Sequence, residues 1–498
     1  MTKPQDIDSD VNNPSIFVIF GATGNLAKNR IFPALFALFK QNLLPEKFKI
    51  IACARTQFTH TIFRDTTAQM IDAQQDEIWK EFANHIDYLP LDIAKDINLD
   101  QLKKNIESFE NQTDTCLQRI FYMAISPDIF QTAIENFGKN SLHLGCQKHH
   151  SKTNARIIVE KPFGWDLASA QNINAKLNKY FKDEQIYRID HYLGKETVQN
   201  IFAFRFGNEL FEPLWNNNHI DHIQITTSEH IGVEKRGEFY EKNGALRDIT
   251  QNHQLQLLSL VTMEEPQSFS AQNVNNKKLE LLSQIKKLNP QEVEKCTVRG
   301  QYETYRSEDK VAKDSKTETY SLAKLSIENS RWKGVPIYLR TGKKLTGKVT
   351  SIIIQFKEHG HELFKNFWEK PLPNTITIQI QPNEGIGIRL AAKKPGLTTQ
   401  LEPVNMEFCY KTSFGNPQPD AYERLILDVI QNDQTLFMDQ RVIEESWKII
   451  DPIEKVWQTQ KPKLAIYKPG TWGPKEADEL ILKDGREWLT PILSICKI

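Results

Sequence analysis

No apolar run in this sequence approaches the ~20 residues that cross a membrane as a helix, so a membrane-spanning role is not expected. An excess of one charge is also missing: 63 Lys and Arg balance 63 Asp and Glu. Bulk charge therefore offers nothing to nucleic acid or a lipid surface, and any anion site must be a local cluster. Cysteine is scarce and scattered, at Cys53, Cys116, Cys146, Cys296, Cys409 and Cys496. With no Cys-x-x-Cys pair and no metal-ligand spacing, these six are expected to be reduced thiols of a cytoplasmic protein, with no bound metal. The N-terminal stretch MTKPQDIDSDVNNPS has no apolar core, so a signal peptide is not expected. Internal repeats and low-complexity tracts are lacking too, which sets aside solenoid and linker-rich architectures.

What is present fits an intracellular enzyme. An apolar share of 39% beside 25% charged residues is ordinary for a soluble globular chain. The 498 residues exceed what one core serves, so two or three domains are expected. Ser15-Ile16-Phe17-Val18-Ile19-Phe20 is a short continuous apolar run, the pattern of a strand buried on both faces. It enters Gly21-Ala22-Thr23-Gly24-Asn25-Leu26-Ala27 and then a helical stretch from Lys28 to Lys40. Strand, glycine turn and helix together make a dinucleotide site credible. Gly21 permits the tight turn, Gly24 lets the backbone approach a pyrophosphate, and Ala27 lets helix and strand pack closely. The helix N-terminus would face the phosphates with its unpaired N–H groups.

The next strand, Phe48 to Thr56, ends in Arg55 and Thr56. An NAD-selective site has an acid here for the ribose 2′-hydroxyl, whereas a guanidinium suits a 2′-phosphate. Arg30, one turn into the first helix, adds a second positive charge. The coenzyme expected is NADP, with NAD a weaker alternative. Two further apolar runs follow, Ile120-Phe121-Tyr122-Met123 and Ile157-Ile158-Val159. The second ends in Glu160-Lys161-Pro162, so Lys161 stands at the carboxyl end of a strand, where open α/β sheets bind ligands.

Arg188-Ile189-Asp190-His191-Tyr192-Leu193-Gly194-Lys195-Glu196 packs two acids, an imidazole, a phenol and an ammonium into one stretch. With Asp190 as a helix cap, His191 and Lys195 stand four apart on one face, able to grip one anionic group; the plainer alternative is a solvated helix start. From residue 220 the pattern turns antiparallel. Ile376, Ile378 and Ile380 alternate, Pro382-Asn383-Glu384-Gly385 turns, and Ile386, Ile388 and Leu390 alternate back as a hairpin. Ile352 to Phe356 and Ala323-Leu325-Ile327 supply more strands. The polar stretches near 273–278 and 307–319 read as loops or exposed helix ends. Asp420-Ala421-Tyr422-Glu423 opens a capped helix whose stripe of Tyr422, Leu425, Ile426, Val429 and Ile430 is core rather than cofactor site.

The stretch at 188–196 resembles the active-site signature of the glucose-6-phosphate dehydrogenases, and matching landmarks run from residue 16 to about residue 480. Gly21 to Ala27 resembles the family's Gly-x-x-Gly-Asp-Leu-Ala turn, with Asn25 in place of Asp. Gly244-Ala245-Leu246-Arg247-Asp248-Ile249-Thr250-Gln251-Asn252-His253 matches the segment whose histidine is the general base. The resemblance implies His253 as base and Asp190 as the acid orienting its imidazole. It implies His191, Tyr192 and Lys195 as phosphate and sugar contacts, with Glu229 and Asp248 bonding the sugar. Lys161 would contact both substrate and coenzyme, next to a cis proline at Pro162. Leu339-Arg340-Thr341-Gly342-Lys343-Lys344-Leu345-Thr346-Gly347-Lys348 resembles the family's basic loop, so Lys343 and Lys348 would reach the sugar phosphate, and Gln381 the sugar. Gly21, Thr23, Gly24, Asn25, Leu26, Arg30, Arg55, Thr56 and Lys161 would line the coenzyme.

The fold expected is α/β followed by α+β. A flexible tail spans 1–14, and a Rossmann-like doubly wound parallel sheet spans 15–189. A larger substrate-binding and oligomerisation domain on a mostly antiparallel sheet spans 190–498. By resemblance the activity is oxidation of D-glucose 6-phosphate to the lactone with NADP, in a cytoplasmic homodimer or homotetramer that binds neither nucleic acid nor membrane. The chemistry suits a histidine, since removing a C1 hydroxyl proton calls for a base near neutrality, and imidazole titrates at ~6.5. One rival is a sugar oxidoreductase of the glucose–fructose type, which shares the Glu-Lys-Pro element but not the signature. The other, a silent NADP sensor, would have lost the base or its orienter.

Overall fold

The computed structural model describes residues 13–146, 155–358, 367, 373–415 and 418–489, so most of the expected N-terminal tail lies outside them. The chain divides into two compact units. The first gathers the residues up to 194 with 268–275 and 419–443; the second holds 195–267, 276–418 and 444–498. Three segments expected in the second domain, 190–194, 268–275 and 419–443, thus cluster with the first.

Among the described residues the first unit is built on six strands, β1 (Ser15–Phe20), β2 (Phe48–Ala54), β3 (Ile86–Pro90), β4 (Gln118–Met123), β5 (Arg156–Val159) and β6 (Ile186–Arg188). All neighbours pair in parallel in the order β3-β2-β1-β4-β5-β6. Every residue of β1 and β4 is buried, as continuous apolar runs require of a sheet covered on both faces. The strand order reverses between β1 and β4, where doubly wound sheets place their ligands. The helix Ala421–Ile430 packs against the helix Phe32–Lys40, with its expected stripe buried. A reciprocal capping box between Asp420 and Glu423 fixes its start.

The cysteines correct one expectation. Cys116 and Cys146 are joined in a disulfide, and Cys409 is also disulfide-bonded, whereas Cys53 and Cys296 are free. Thirty residues separate Cys116 from Cys146, and only the chain path, out along β4, back through the helix Pro127–Lys139 and round its end, brings them together. Arg119 supports the same corner, donating to the Leu144 carbonyl at 2.9 Å while forming a buried ion pair with Glu110.

Among the described residues the second unit carries nine strands, β7 (Ile220–Ser228), β8 (Thr297–Tyr302), β9 (Tyr320–Leu325), β10 (Ile337–Gly342), β11 (Val349–Phe356), β12 (Thr375–Gln381), β13 (Gly385–Lys393), β14 (Leu401–Cys409) and β15 (Ala465–Tyr467). Their order is β14-β13-β12-β11-β7-β10-β9-β8-β15. The sheet is mostly antiparallel and contains the expected β12–β13 hairpin, with Ile376 opposite Ile388 and Ile378 opposite Ile386. Two contacts are parallel, β7 with β10 and β15 with β8. The polar stretch at 273–278 is a second correction: it lies inside the helix Ala271–Ser283, held by buried Val274, Leu281 and Leu282 at helical spacing. Residues 308–319 are irregular, as expected.

Closing a loop of this length stabilises a fold by about 3 kcal/mol, chiefly by restricting the unfolded chain. Cys146→Ser is therefore expected to lower the thermal midpoint by roughly 3 °C in a chain of this size. Calorimetry of the variant beside the oxidised parent checks this, and an unchanged midpoint would contradict it.

Candidate active site

The glycine turn follows β1 directly. Gly21 has φ +79°, and a Cβ there would overlap the Ala124 carbonyl oxygen just beyond β4, so only glycine fits. The Gly21 and Ala22 N–H groups donate to the Cys53 carbonyl on β2 at 2.8 and 3.0 Å, and Gly24 N–H donates to the Gly21 carbonyl at 2.8 Å. At Gly24 an added Cβ would meet nothing nearer than the Gly21 oxygen at 3.1 Å, leaving that face clear for a ligand. Ala27 is fully buried, as close helix–strand packing demands. Thr23 and Leu26 are half-buried and Asn25 is exposed at the helix start. Arg55 and Thr56 are exposed just past β2, with no acid among them. Arg30 meets Asp420 at 3.1 Å, but both side chains are about half exposed, and such a pair holds an arginine only weakly. Backbone cradle, cleared glycine face and exposed guanidinium fit a dinucleotide with a 2′-phosphate.

At the carboxyl ends of β5 and β6 stand Glu160, Lys161 and the signature. The Lys161–Pro162 bond is cis. Glu160 accepts a hydrogen bond from the Tyr122 hydroxyl at 2.6 Å and another from Tyr422. Burial pushes its carboxyl up to about 7, against the opposing pull of Tyr122, Lys161 and Tyr422. Asp190 and Tyr192 are buried. The Asp190 carboxylate accepts from the Tyr192 N–H at 2.9 Å, and the Leu193 N–H closes onto the Asp190 carbonyl at 3.0 Å. This is a turn, not a helix cap: the helix starts only at Glu196, with Lys195 at its cap position. The helical spacing on which a one-face pairing of His191 and Lys195 was expected is therefore absent, because the Asp side chain serves an Asx turn instead. The His191 ring lies 5.0 Å from Tyr192 and stacks at 6.4 Å on Tyr422.

In the second unit, Glu229 and Lys343 form an ion pair. The reason lies in the sheet: β7 and β10 run parallel with Ser228 opposite Gly342, so the next residue of each strand emerges at the same edge. Lys343 is buried and its ammonium lies 5.1 Å from the Tyr240 ring. Lys195 donates to Gln381 at 2.8 Å, and the Gln381 amide continues to Thr350 at 3.0 Å. Lys348 is exposed on the loop before β11 and is not drawn into these contacts. Asp248 and His253 sit on the π-helical segment Leu246–Gln254, both buried. Wide π turns of this kind mark functional sites in many helices. The segment is polar yet buried because its amides are spent on the sheet: Gln254 donates to Arg340 and Ile225 carbonyls at 2.8 and 3.2 Å, and accepts from Thr250 at 2.9 Å.

Three residues escaped the sequence reading. Tyr422, assigned to the core, is buried there but aims its hydroxyl at Glu160. Glu160 itself was passed over beside Lys161. Tyr240 is fully buried, its hydroxyl driven well above the usual range by burial and by the nearby charges of Asp248, Glu229 and Glu318. No periodicity marks a buried tyrosine as functional; contiguity with Glu160-Lys161-Pro162 was the one available signal.

Comparison with known proteins gives a consistent result. Residues 18–200 match the family described as glucose-6-phosphate dehydrogenase, NAD binding domain, and residues 202–489 match its C-terminal domain. The chain is 41% identical over 492 residues to glucose-6-phosphate 1-dehydrogenase of Rhizobium meliloti (strain 1021), covering 95% of this chain and 97% of that one. It is 37% identical over 484 residues to the Bacillus subtilis (strain 168) enzyme, covering 95% and 98%. A solved glucose-6-phosphate dehydrogenase in complex with its substrate glucose 6-phosphate superimposes with a TM-score of 0.88 at 32% identity, over 96% of this chain and 99% of that one. The Mycobacterium avium structure gives 0.82 at 34%, with the same coverage.

The elevated carboxyl of Glu160 has a measurable consequence. The unfolded chain releases this proton near 4.5 and the folded chain only near 7, so the folded state binds more protons between those values and loses stability as pH rises through that window. Glu160→Gln is expected to flatten that part of the stability–pH curve in urea titrations. Parallel curves for parent and variant would contradict the assignment.

Proposed function

The chain belongs to the glucose-6-phosphate dehydrogenase family, and on that premise we propose which of its residues carry the reaction. The enzyme oxidises D-glucose 6-phosphate at C1 to 6-phospho-D-glucono-1,5-lactone with transfer of hydride to NADP, the first step of the pentose phosphate pathway. When bound, NADP supplies the hydride acceptor. His253 takes the proton from the C1 hydroxyl as C1 loses hydride and its second bond to oxygen forms. Asp190 is the acid that steadies the resulting imidazolium. Glu229 and Asp248 bond the sugar hydroxyls, which both donate and accept, and Gln381 and Tyr192 add further contacts.

His191, Lys195, Lys343 and Lys348 hold the phosphate. Its binding energy, remote from C1, is what orients the reacting carbon. On the coenzyme side Gly21, Thr23, Gly24, Asn25 and Leu26 receive the pyrophosphate, Arg55 with Arg30 and Thr56 the 2′-phosphate, and Lys161 lies between coenzyme and sugar. The observation that carries this assignment is the second-unit cluster: a lysine–glutamate pair beside a buried π-helical segment bearing Asp248 and His253.

Residues 1–14, 15–189 and 190–498 are proposed as tail, coenzyme domain and substrate domain, with residues 419–443 returning to the former. Among the described residues no helix is long and apolar enough to cross a membrane. A cytoplasmic location rests on the substrate and coenzyme, both charged metabolites, since the reduced-thiol argument no longer applies. A homodimer or homotetramer through the large sheet is supported by its edge strand β14, where Val404 and Met406 are exposed.

NADPH formation followed optically with glucose 6-phosphate, glucose or no sugar tests the reading. Turnover is expected to be rapid with the phosphorylated sugar alone, and His253→Asn to lower kcat by roughly 10²–10⁴-fold with coenzyme binding intact. Comparable rates on plain glucose, or an active variant, would contradict it.

A further inference from the structure

The segment Leu246–Gln254 begins in an unusual way. Gly244, just before it, has φ +68°, and the space where a Cβ would lie is filled by the Glu318 carboxylate. The same carboxylate accepts the Leu246 N–H at 3.1 Å, and the Glu318 backbone carbonyl accepts the Ala245 N–H at 3.1 Å. One residue on, the Arg247 guanidinium meets the Glu454 carboxylate at 3.0 Å, both side chains being mostly buried. Consecutive residues at the head of the helix are thus each gripped by a buried acid from a different element.

Both acids are firmly rooted. Glu318 lies two residues before β9, and the intervening Thr319 N–H bonds the Gly300 carbonyl of β8 at 2.7 Å. Glu454 lies on the helix Gln440–Gln458, whose Trp457 indole donates to Thr297 of β8 at 3.0 Å. Arg299 of β8 is itself pinned by the Trp457 and Lys316 carbonyls, and its charge faces both carboxyls.

We propose that Glu318 and Glu454 form a two-point clamp that fixes the register of the helix bearing Asp248 and His253, which makes both acids positioning residues for the reaction. The inference rests on the reading above, in which those two side chains act from this helix. A helix whose first N–H groups are buried needs an acceptor, and a side chain here supplies it in place of a local cap. The bond at Leu246 fixes the axial position and the ion pair at Arg247 fixes the rotation. Asp248 follows one residue later. An ångström of slip at the helix head carries through to the sugar contact and the base, a displacement of the size that costs catalysis heavily. The groups facing the pair are Arg247, Arg299, Asp451 and the Tyr240 hydroxyl. Burial raises both carboxyls, and the Arg247 and Arg299 charges pull them back down.

The test uses the full-length enzyme with glucose 6-phosphate and NADP, comparing Glu318→Ala, Glu318→Gln, Glu454→Gln and His253→Asn. Glu318→Ala is expected to raise KM for the sugar and lower kcat, by roughly tenfold or more in kcat/KM, while the Kd for NADP stays within about twofold. The acid limb of its pH profile for kcat/KM moves, because the surroundings of the base change. Glu318→Gln keeps an oxygen for the Leu246 N–H and restores most of the activity and the parental pH limb. Parental kinetics in Glu318→Ala, or equal damage from Gln and Ala, would overturn the clamp. Should Glu318→Ala fail to fold, Glu454→Gln decides: a raised sugar KM with unchanged NADP binding supports the clamp, and an unchanged KM overturns it. An active His253→Asn would instead overturn the reading of that histidine, and is told apart because the KM effect at Glu318 does not depend on it.

Discussion

The amide of Gln254 ties a helix to two parallel strands, and the sugar-binding half of the chemistry depends on that tie. It donates to the Ile225 carbonyl on β7 and to the Arg340 carbonyl on β10, and is itself fully buried. Each such bond contributes only about 1 kcal/mol, but an unpaired buried amide would cost about 1–3 kcal/mol, so the arrangement tolerates little else. With β7 and β10 held side by side, Glu229 and Lys343 leave the sheet together. With Gln254 fixed, His253 beside it and Asp248 at the other end of the segment are fixed as well. Geometry made for these two hydrogen bonds thus sets the placing of four side chains proposed to act on the sugar.

Charge is handled locally in a chain whose bulk charge is zero. Lys343 is buried against Glu229, and Lys195 is held by Gln381 with the Glu384 carboxylate nearby. Both lysines are already held in place by these partners, so in the phosphate role proposed for them little side-chain entropy would be lost on binding. Arg55 works differently. It is exposed after β2, and in the role proposed for it a strongly hydrated 2′-phosphate would be met by a fork of N–H donors rather than by a dry pocket.

The coenzyme unit was legible in the sequence because its signals are contiguous. Strand, glycine turn and helix follow one another within residues 15–40, and β2 ends in Arg55 where an acid would otherwise stand. The hairpin at Ile376 to Leu390 was equally plain from alternation. The β7–β10 pairing was not: more than a hundred residues separate the strands, and nothing local says that they run parallel inside a mostly antiparallel sheet. At Asp190 the same residue type suits a helix cap and an Asx turn, and the turn prevailed. Cys116 and Cys146 meet only through the path of the chain between them. Tyr240, Glu160 and Glu318 owe their importance to burial beside other charges, which one sequence does not reveal.

The central claim is that the substrate's phosphate, held by basic side chains around Lys343, directs the reaction at C1. The most direct test is kcat/KM for glucose 6-phosphate and for glucose in the parent and in Lys343→Ala. The account predicts that the variant loses at least roughly tenfold on the phosphorylated sugar and little on glucose, so that the preference narrows. An equal fall on both sugars, or an unchanged ratio, would contradict it.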